Sequence, residues 1–342
     1  MKFNKNQYTE LKELDQINAN THSDYWKDYV DLIDLELTKN EFNNFGNKYS
    51  SNVGGFGDAP KIPPRPFLRK ILKIPFIYRM LELLWVKVLI KKTRTSFFSY
   101  LESEKLTTIN LLRHIANKVN YQTKELDIIR VINVDDKIIP HSYTKGAIHL
   151  HMIEKIISDN NLNISFNDIY NNNIIDVGGG IGNILHSYYE YNKINKFNPN
   201  SKFCVLEQFP VSYIAKENIS YMSGVNVKVY SNDNDEYGEI NVIQNSSIAN
   251  ISKLNVSFYF NSSSFQEMNK NQIIEYIDFI KLNSSKNSYL GCFLYPSSKG
   301  SNSDRAVLSI LNNHFKLLGW EHNYFDKHIG AITGIMYLYQ IN

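Results

Sequence analysis

The chain has 342 residues, 43% of them hydrophobic and 13% aromatic, enough for a packed core and long enough for two domains. Its formal net charge of +3 excludes a chain-wide nucleic-acid footprint, so no nucleic-acid partner is expected. No apolar run approaches the ~20 residues of a spanning helix, and residues 1–20 lack the apolar region of a signal peptide.

The first helical pattern places Trp26, Val30, Ile33 and Leu37 on one face, with Ser23 positioned to cap it. Residues 43–66 then hold Gly46, Gly54, Gly55, Gly57, Pro60, Pro63, Pro64 and Pro66 and read as a linker. A basic helical stretch follows over 67–92, interrupted at Pro75. Between Lys61 and Arg94 stand ten Lys or Arg and one acid, Glu82. Apolar and basic residues interleave there as in interfacial helices, which opens peripheral contact with a membrane surface or an anionic glycan.

Residues 99–118 read as a helix and 128–134 as a short strand. His141–Asp159 reads as a helix that is apolar almost all round. His151 shares its polar arc with Glu154, Lys155 and Ser158, whereas His149 falls between Ile153 and Ile156 on the apolar side. Residues 1–165 are thus read as a mainly helical N-terminal region, and 166–342 as a cofactor-binding domain.

From Asn173 the pattern alternates regularly. Strands are expected at 173–177, 202–206, 226–230, 256–261 and 289–294, with helices at 183–191, 211–218 and 272–282 between them. A further helix is expected within 239–252, another at 304–314, and two last strands near 319–324 and 332–340. This predicts an α/β fold: a Rossmann-like sheet of five parallel strands plus an antiparallel pair. Cys204 and Cys292 sit in apolar runs that read as buried strands. Reduced core thiols are expected there, consistent with a cytoplasmic location. No Cys/His cluster has zinc spacing, and no metal is expected.

In open α/β sheets ligands bind at the carboxyl ends of the strands. The first such end reads Asp176-Val177-Gly178-Gly179-Gly180-Ile181-Gly182-Asn183. Glycines at 178, 180 and 182 suit a turn too tight for side chains, opening onto a helix start that can face a polar ligand. A dinucleotide fingerprint would need a small residue where Asn183 stands, which disfavours a nicotinamide-dependent oxidoreductase. At the second end Glu207, followed by Gln208, is placed to accept from both hydroxyls of a ribose. At the third, Asp233 or Asp235 is in reach of an adenine amino group. The fourth, Asn261-Ser262-Ser263-Ser264-Phe265-Gln266-Glu267-Met268, delivers a polar loop with a single acid. Glu267 is the first candidate for a general base and His149 the second. The fifth end, 296–304, reads as a substrate-side loop, with Asp304 and Arg305 starting the next helix.

The turn at 176–182 looks like the S-adenosylmethionine loop of class I methyltransferases. Together with the string Ser264-Phe265-Gln266-Glu267-Met268 it resembles the sugar O-methyltransferase family of bacterial surface-polysaccharide clusters. The resemblance covers roughly 173–342. It implies S-adenosylmethionine as cofactor and a sugar hydroxyl as acceptor. The cofactor residues would be Asp176, Gly178, Gly179, Gly180, Gly182, Glu207, Gln208, Asp233, Asn261 and Ser262. The sequence departs from the family at Glu207-Gln208-Phe209-Pro210, where Asp-Leu-Pro is usual. Two other readings stand beside this one: methylation of a non-sugar small molecule, and a non-catalytic module of the same fold that binds a partner or a membrane surface. The oligomeric state is not encoded in any pattern found.

Overall fold

The computed structural model describes residues 5–16, 97–118, 131–296, 303–325 and 334–341. The helix expected around 23–37, the linker at 43–66 and the basic stretch at 61–94 lie outside the described residues.

In chain order the described elements are α1 (Lys5–Gln16), α2 (Phe97–Ser103), α3 (Ile109–Lys118), the hairpin β1 (Val131–Val134) and β2 (Lys137–Pro140), α4 (Ser142–Asp159) and the one-turn α5 (Phe166–Ile169). Then come β3 (Asn173–Val177), α6 (Asn183–Asn195), β4 (Phe203–Glu207), α7 (Val211–Ser223), β5 (Lys228–Val229), β6 (Ile240–Gln244) and β7 (Val256–Ser262). The last group is α8 (Lys270–Asn283), β8 (Ser284–Leu294), α9 (Asp304–Asn312), β9 (Lys316–His322) and β10 (Ile335–Ile341). Local chemistry fixes several boundaries. Asn269 and Gln272 form a reciprocal capping box at the start of α8, Ser303 caps α9, and Gly224, at φ +69°, ends α7.

The main sheet has eight strands in the order β5-β6-β4-β3-β7-β8-β10-β9. Strands β5 to β8 are mutually parallel, and β10 runs antiparallel to both its neighbours. β4 and β6 are buried along their whole length, as strands covered on both faces must be. One hydrophobic cluster joins α2, α3, α4, α6 and α7 to one face. A second joins α8 and α9 to the other. On the first face Tyr188 lies flat on Phe260, with ring centroids 4.3 Å apart. This is an open, Rossmann-like α/β sheet ending in an antiparallel pair, carrying one more parallel strand than expected. Among the described residues no helix is long and apolar enough to cross a membrane.

Two expectations are corrected. The stretch 239–252 holds β6 and a short 3-10 helix (Asn245–Asn250), not an α-helix. Five uncharged residues fit either period, and here pairing with β4 over Phe203–Glu207 decides for the strand. The helix expected at 99–118 is two helices, because Lys105 adopts φ +56° and Leu106 N–H closes back on Leu101 O at 3.0 Å.

Candidate active site

Strands β3 and β7 are neighbours, but the helices that follow them, α6 and α8, pack on opposite faces. The crevice of such a sheet opens between these two exits.

At the β3 exit, Gly178, Gly180 and Gly182 take φ values of +69°, +57° and +82°, which side-chain-bearing residues adopt at a cost. Space is as restrictive as torsion. A Cβ on Gly178 would lie 2.2 Å from Ser264 Oγ, and one on Gly182 would lie 2.3 Å from Ile219 Cδ1. A Cβ on Gly179 would lie 2.5 Å from Asp176 Oδ2. The turn therefore exposes backbone and is held from below on three sides.

Asp176 is fully buried, and neither carboxylate oxygen has a hydrogen-bond partner among the described residues. Burial, then the neighbouring Glu207, pushes its carboxyl well above the ordinary carboxylate range. Glu207 faces the same turn. Its Oε2 accepts from Gly180 N–H at 2.8 Å, and its Oε1 accepts from Gln208 N–H at 2.8 Å. Gln208 is itself buried at the start of α7.

Asn183, which separates this turn from a dinucleotide fingerprint, has a defined task. Its Nδ2 donates to Ser142 Oγ at 2.7 Å, and its Oδ1 accepts from Asn218 Nδ2 at 2.8 Å. Asn218 also donates to Ile181 O at 2.8 Å, so one buried amide network ties the turn to the starts of α4 and α6 and to α7.

The β7 exit is stitched to its neighbours on both sides. Asn261 Nδ2 and Ser264 Oγ donate to Val177 O at 2.8 and 2.9 Å, joining the loop to the glycine turn. Asn261 also donates to Ser264 Oγ and accepts from Phe265 N–H, so its amide shapes the loop from within. On the other side Ser263 N–H donates to Phe293 O at 2.9 Å. The Gln266 amide both donates to Tyr295 O and accepts from Tyr295 N–H, each at 2.9 Å. Ser262 and Glu267 are half-buried at this exit.

Two expected site residues stand differently. Asp233 follows the outermost strand, β5, and its carboxylate accepts from Ser252 Oγ at 2.7 Å and from Ser252 N–H. The additional strand β6 intervenes between it and β4. The residue paired with Glu207 is Gln244, which sequence reasoning missed together with Asn245. Both are buried, and Gln244 Oε1 and Asn245 Oδ1 have no hydrogen-bond partner among the described residues. The signal for them was the polar Gln-Asn pair ending an apolar run. It was lost when that run was read as a helix. His149 is 2% exposed and packs its ring 4.7 Å from that of Phe293. Burial, then Lys145, lowers its pKa to about 3, so it holds almost no proton affinity at neutral pH and does not suit a general base.

No family model matches the chain, and no curated protein is similar to it. Among solved structures, the pyocyanin biosynthetic protein PhzM is similar at 11% identity and TM-score 0.38, over 58% of this chain and 55% of that one. A SAM-dependent methyltransferase from Aquifex aeolicus is similar at 16% identity and TM-score 0.35, over 55% of this chain and 89% of that one. A geranyl diphosphate C-methyltransferase from Streptomyces coelicolor, solved with Mg2+, a substrate analogue and S-adenosyl-L-homocysteine, is similar at 8% identity and TM-score 0.36. That likeness covers 60% of this chain and 82% of the other. The chain thus spans just over half the length of PhzM. The sheet order itself carries the fold assignment.

Proposed function

We propose that this chain is an S-adenosylmethionine-dependent O-methyltransferase acting on a sugar hydroxyl in bacterial surface-polysaccharide assembly. The observation that carries the cofactor reading is Asp176. A wholly buried carboxylate with both oxygens unpartnered, beneath a backbone-lined turn, is costly unless a ligand supplies donors. S-adenosylmethionine carries such donors on its ammonium and ribose groups, and the paired acids Asp176 and Glu207 suit its net positive charge. The sugar reading rests on the Ser264-Phe265-Gln266-Glu267-Met268 string.

When bound, the cofactor supplies a methyl group on a positively charged sulfur. The chain's own work is binding, alignment and proton removal. The peptide groups of 178–182 hold one side of the pocket, and Glu207 takes hydroxyl donors. Gln244 and Asn245 offer amide oxygens to an amino group in the role first assigned to Asp233. Glu267, at the β7 exit, receives the proton of the acceptor hydroxyl as its oxygen gains the methyl group. Alignment of the acceptor oxygen supplies much of the rate, since positioning alone is worth about 7–11 kcal/mol in favourable cases.

Calorimetric titration of the full chain with S-adenosylmethionine, S-adenosylhomocysteine and NAD tests the cofactor reading. Tight binding of the first two and none of the third is expected; NAD binding alone overturns it. Transfer of labelled methyl from S-adenosylmethionine into nucleotide-linked or lipid-linked sugars tests the acceptor. Label appearing only in a non-sugar small molecule overturns the sugar assignment.

A further inference from the structure

We propose that Tyr295 is the stacking platform for the acceptor sugar, and that Gln266 is the positioning residue that holds it there. This deepens the methyltransferase reading and rests on it.

Strand β8 is buried from Ser288 through Leu294, yet the chain leaves it on a half-buried aromatic, Tyr295. Its ring stands on the face of the sheet that packs against α4. It meets Phe293 edge-on at 5.2 Å, and Phe293 in turn rests on His149 at 4.7 Å. These three rings form a column from the middle of α4 to the mouth of the fifth strand exit. The column gives His149 its function: a neutral, buried ring supporting the one above it.

The backbone of Tyr295 is fixed by an unusual device. β8 has ended, so among the described residues no strand supplies partners for Tyr295 N–H and C=O. Gln266, 2% exposed, replaces the missing strand with its side chain, meeting both groups at 2.9 Å. Both ends of a buried amide serve one residue of the neighbouring exit. Ser263 adds two bonds to Phe293 O, from N–H at 2.9 Å and from Oγ at 3.3 Å. The loop carrying Glu267 and the residue carrying the aromatic ring are thereby held at a fixed separation. An aromatic face is electron-rich and takes the polarised C–H face of a pyranose, leaving the sugar's hydroxyls at the ring edge free to turn toward Glu267.

The test is saturation-transfer NMR on the full chain loaded with S-adenosylhomocysteine. The probes are neutral and uronic methyl hexopyranosides, with catechol as a flat aromatic control. Saturation of sugar C–H protons is expected on the wild type. It should fall at least fivefold in Tyr295→Ala and stay within twofold of wild type in Tyr295→Phe, which keeps the ring. Gln266→Ala should weaken the signal, with Gln266→Glu, which retains one of the two bonds, intermediate. All four variants should bind S-adenosylhomocysteine as the wild type does, which separates a misplaced platform from a misfolded chain. Equal saturation in Tyr295→Ala and wild type, no saturation of any glycoside, or saturation of catechol alone overturns the proposal while leaving cofactor binding intact. Failure of the wild type to bind S-adenosylhomocysteine overturns the methyltransferase reading instead, and this inference with it.

Discussion

Replacing Asp176 by Asn should make the protein more stable and a worse binder at once. The carboxylate is wholly buried and meets no donor among the described residues, so its charge is uncompensated in the absence of ligand. An unsatisfied buried polar group costs about 1–3 kcal/mol, more when charged. Asn keeps the size, removes the charge and still leaves an amide to satisfy, so a net gain of about 1–2 kcal/mol is expected, or a rise in Tm of about 2–6 °C. In a complex the sign reverses. A hydrogen bond to a charged group contributes about 1.5–3 kcal/mol, so Kd for S-adenosylhomocysteine should rise about 10-fold to 150-fold. The pH dependence adds a signature. Because the folded carboxyl titrates above its unfolded value, the native state holds the extra proton. Stability is then greatest below the ordinary carboxylate range and falls as pH rises toward the raised pKa. Asp176→Asn should flatten that fall. Scanning calorimetry with and without S-adenosylhomocysteine, across pH, reads all three effects. A lowered Tm, or an unchanged Kd, refutes the reasoning: the carboxylate would then serve the fold, and the hydroxyl of Tyr188, whose titration it perturbs, would be the place to look.

Gly182→Ala should cost about 2–4 kcal/mol from left-handed backbone strain and overpacking, and abolish detectable cofactor binding, since its Cβ would stand 2.3 Å from Ile219. Denaturant titration and calorimetry check this. Asn218→Ala should cost about 2 kcal/mol by orphaning Ile181 O and Asn183 Oδ1, with Kd for S-adenosylhomocysteine rising as the turn loosens. Glu190 on α6 is buried, and that burial pushes its pKa up. His186 Nε2, 3.4 Å from Oε1, and the hydrogen bonds of Lys118 and His114 to Oε2 outweigh it and bring the pKa to about 2. Its stabilisation is therefore complete above the unfolded value and lost as pH falls toward 2. Glu190→Gln should cost about 2–4 kcal/mol near neutral pH and remove this acid dependence. It should also speed hydrogen exchange in Ile109–Lys118, where two of the three partners reside.

The sheet was readable because each strand from β3 on is an apolar run punctuated by turn residues. The expected range 173–177 coincides with β3, and the other strands shift by a few residues. The glycine turn and Glu207 were readable because tight turns and strand-end acids are local features. β6 was not, since Ile240–Gln244 is too short to reveal a period and its identity depends on a partner strand distant in sequence. Read as a helix, that stretch left Asp233 as the residue expected beside Glu207, where the sheet instead pairs Gln244. Gln266 and Asn183 were hidden for another reason. Their importance lies in groups they satisfy 29 and 41 residues away, a backbone carbonyl for Gln266 and the Ser142 hydroxyl for Asn183, and no local pattern records this.

Val177 O accepts hydrogen bonds from Asn261 and Ser264, whose loop in turn grips Phe293 and Tyr295. On the proposed function, the donor and acceptor sides therefore share one hydrogen-bonded frame. By linkage, whatever factor the donor adds to acceptor affinity, the acceptor must add to donor affinity. On that reading, a frame tightened by either ligand raises affinity for the other by the same factor.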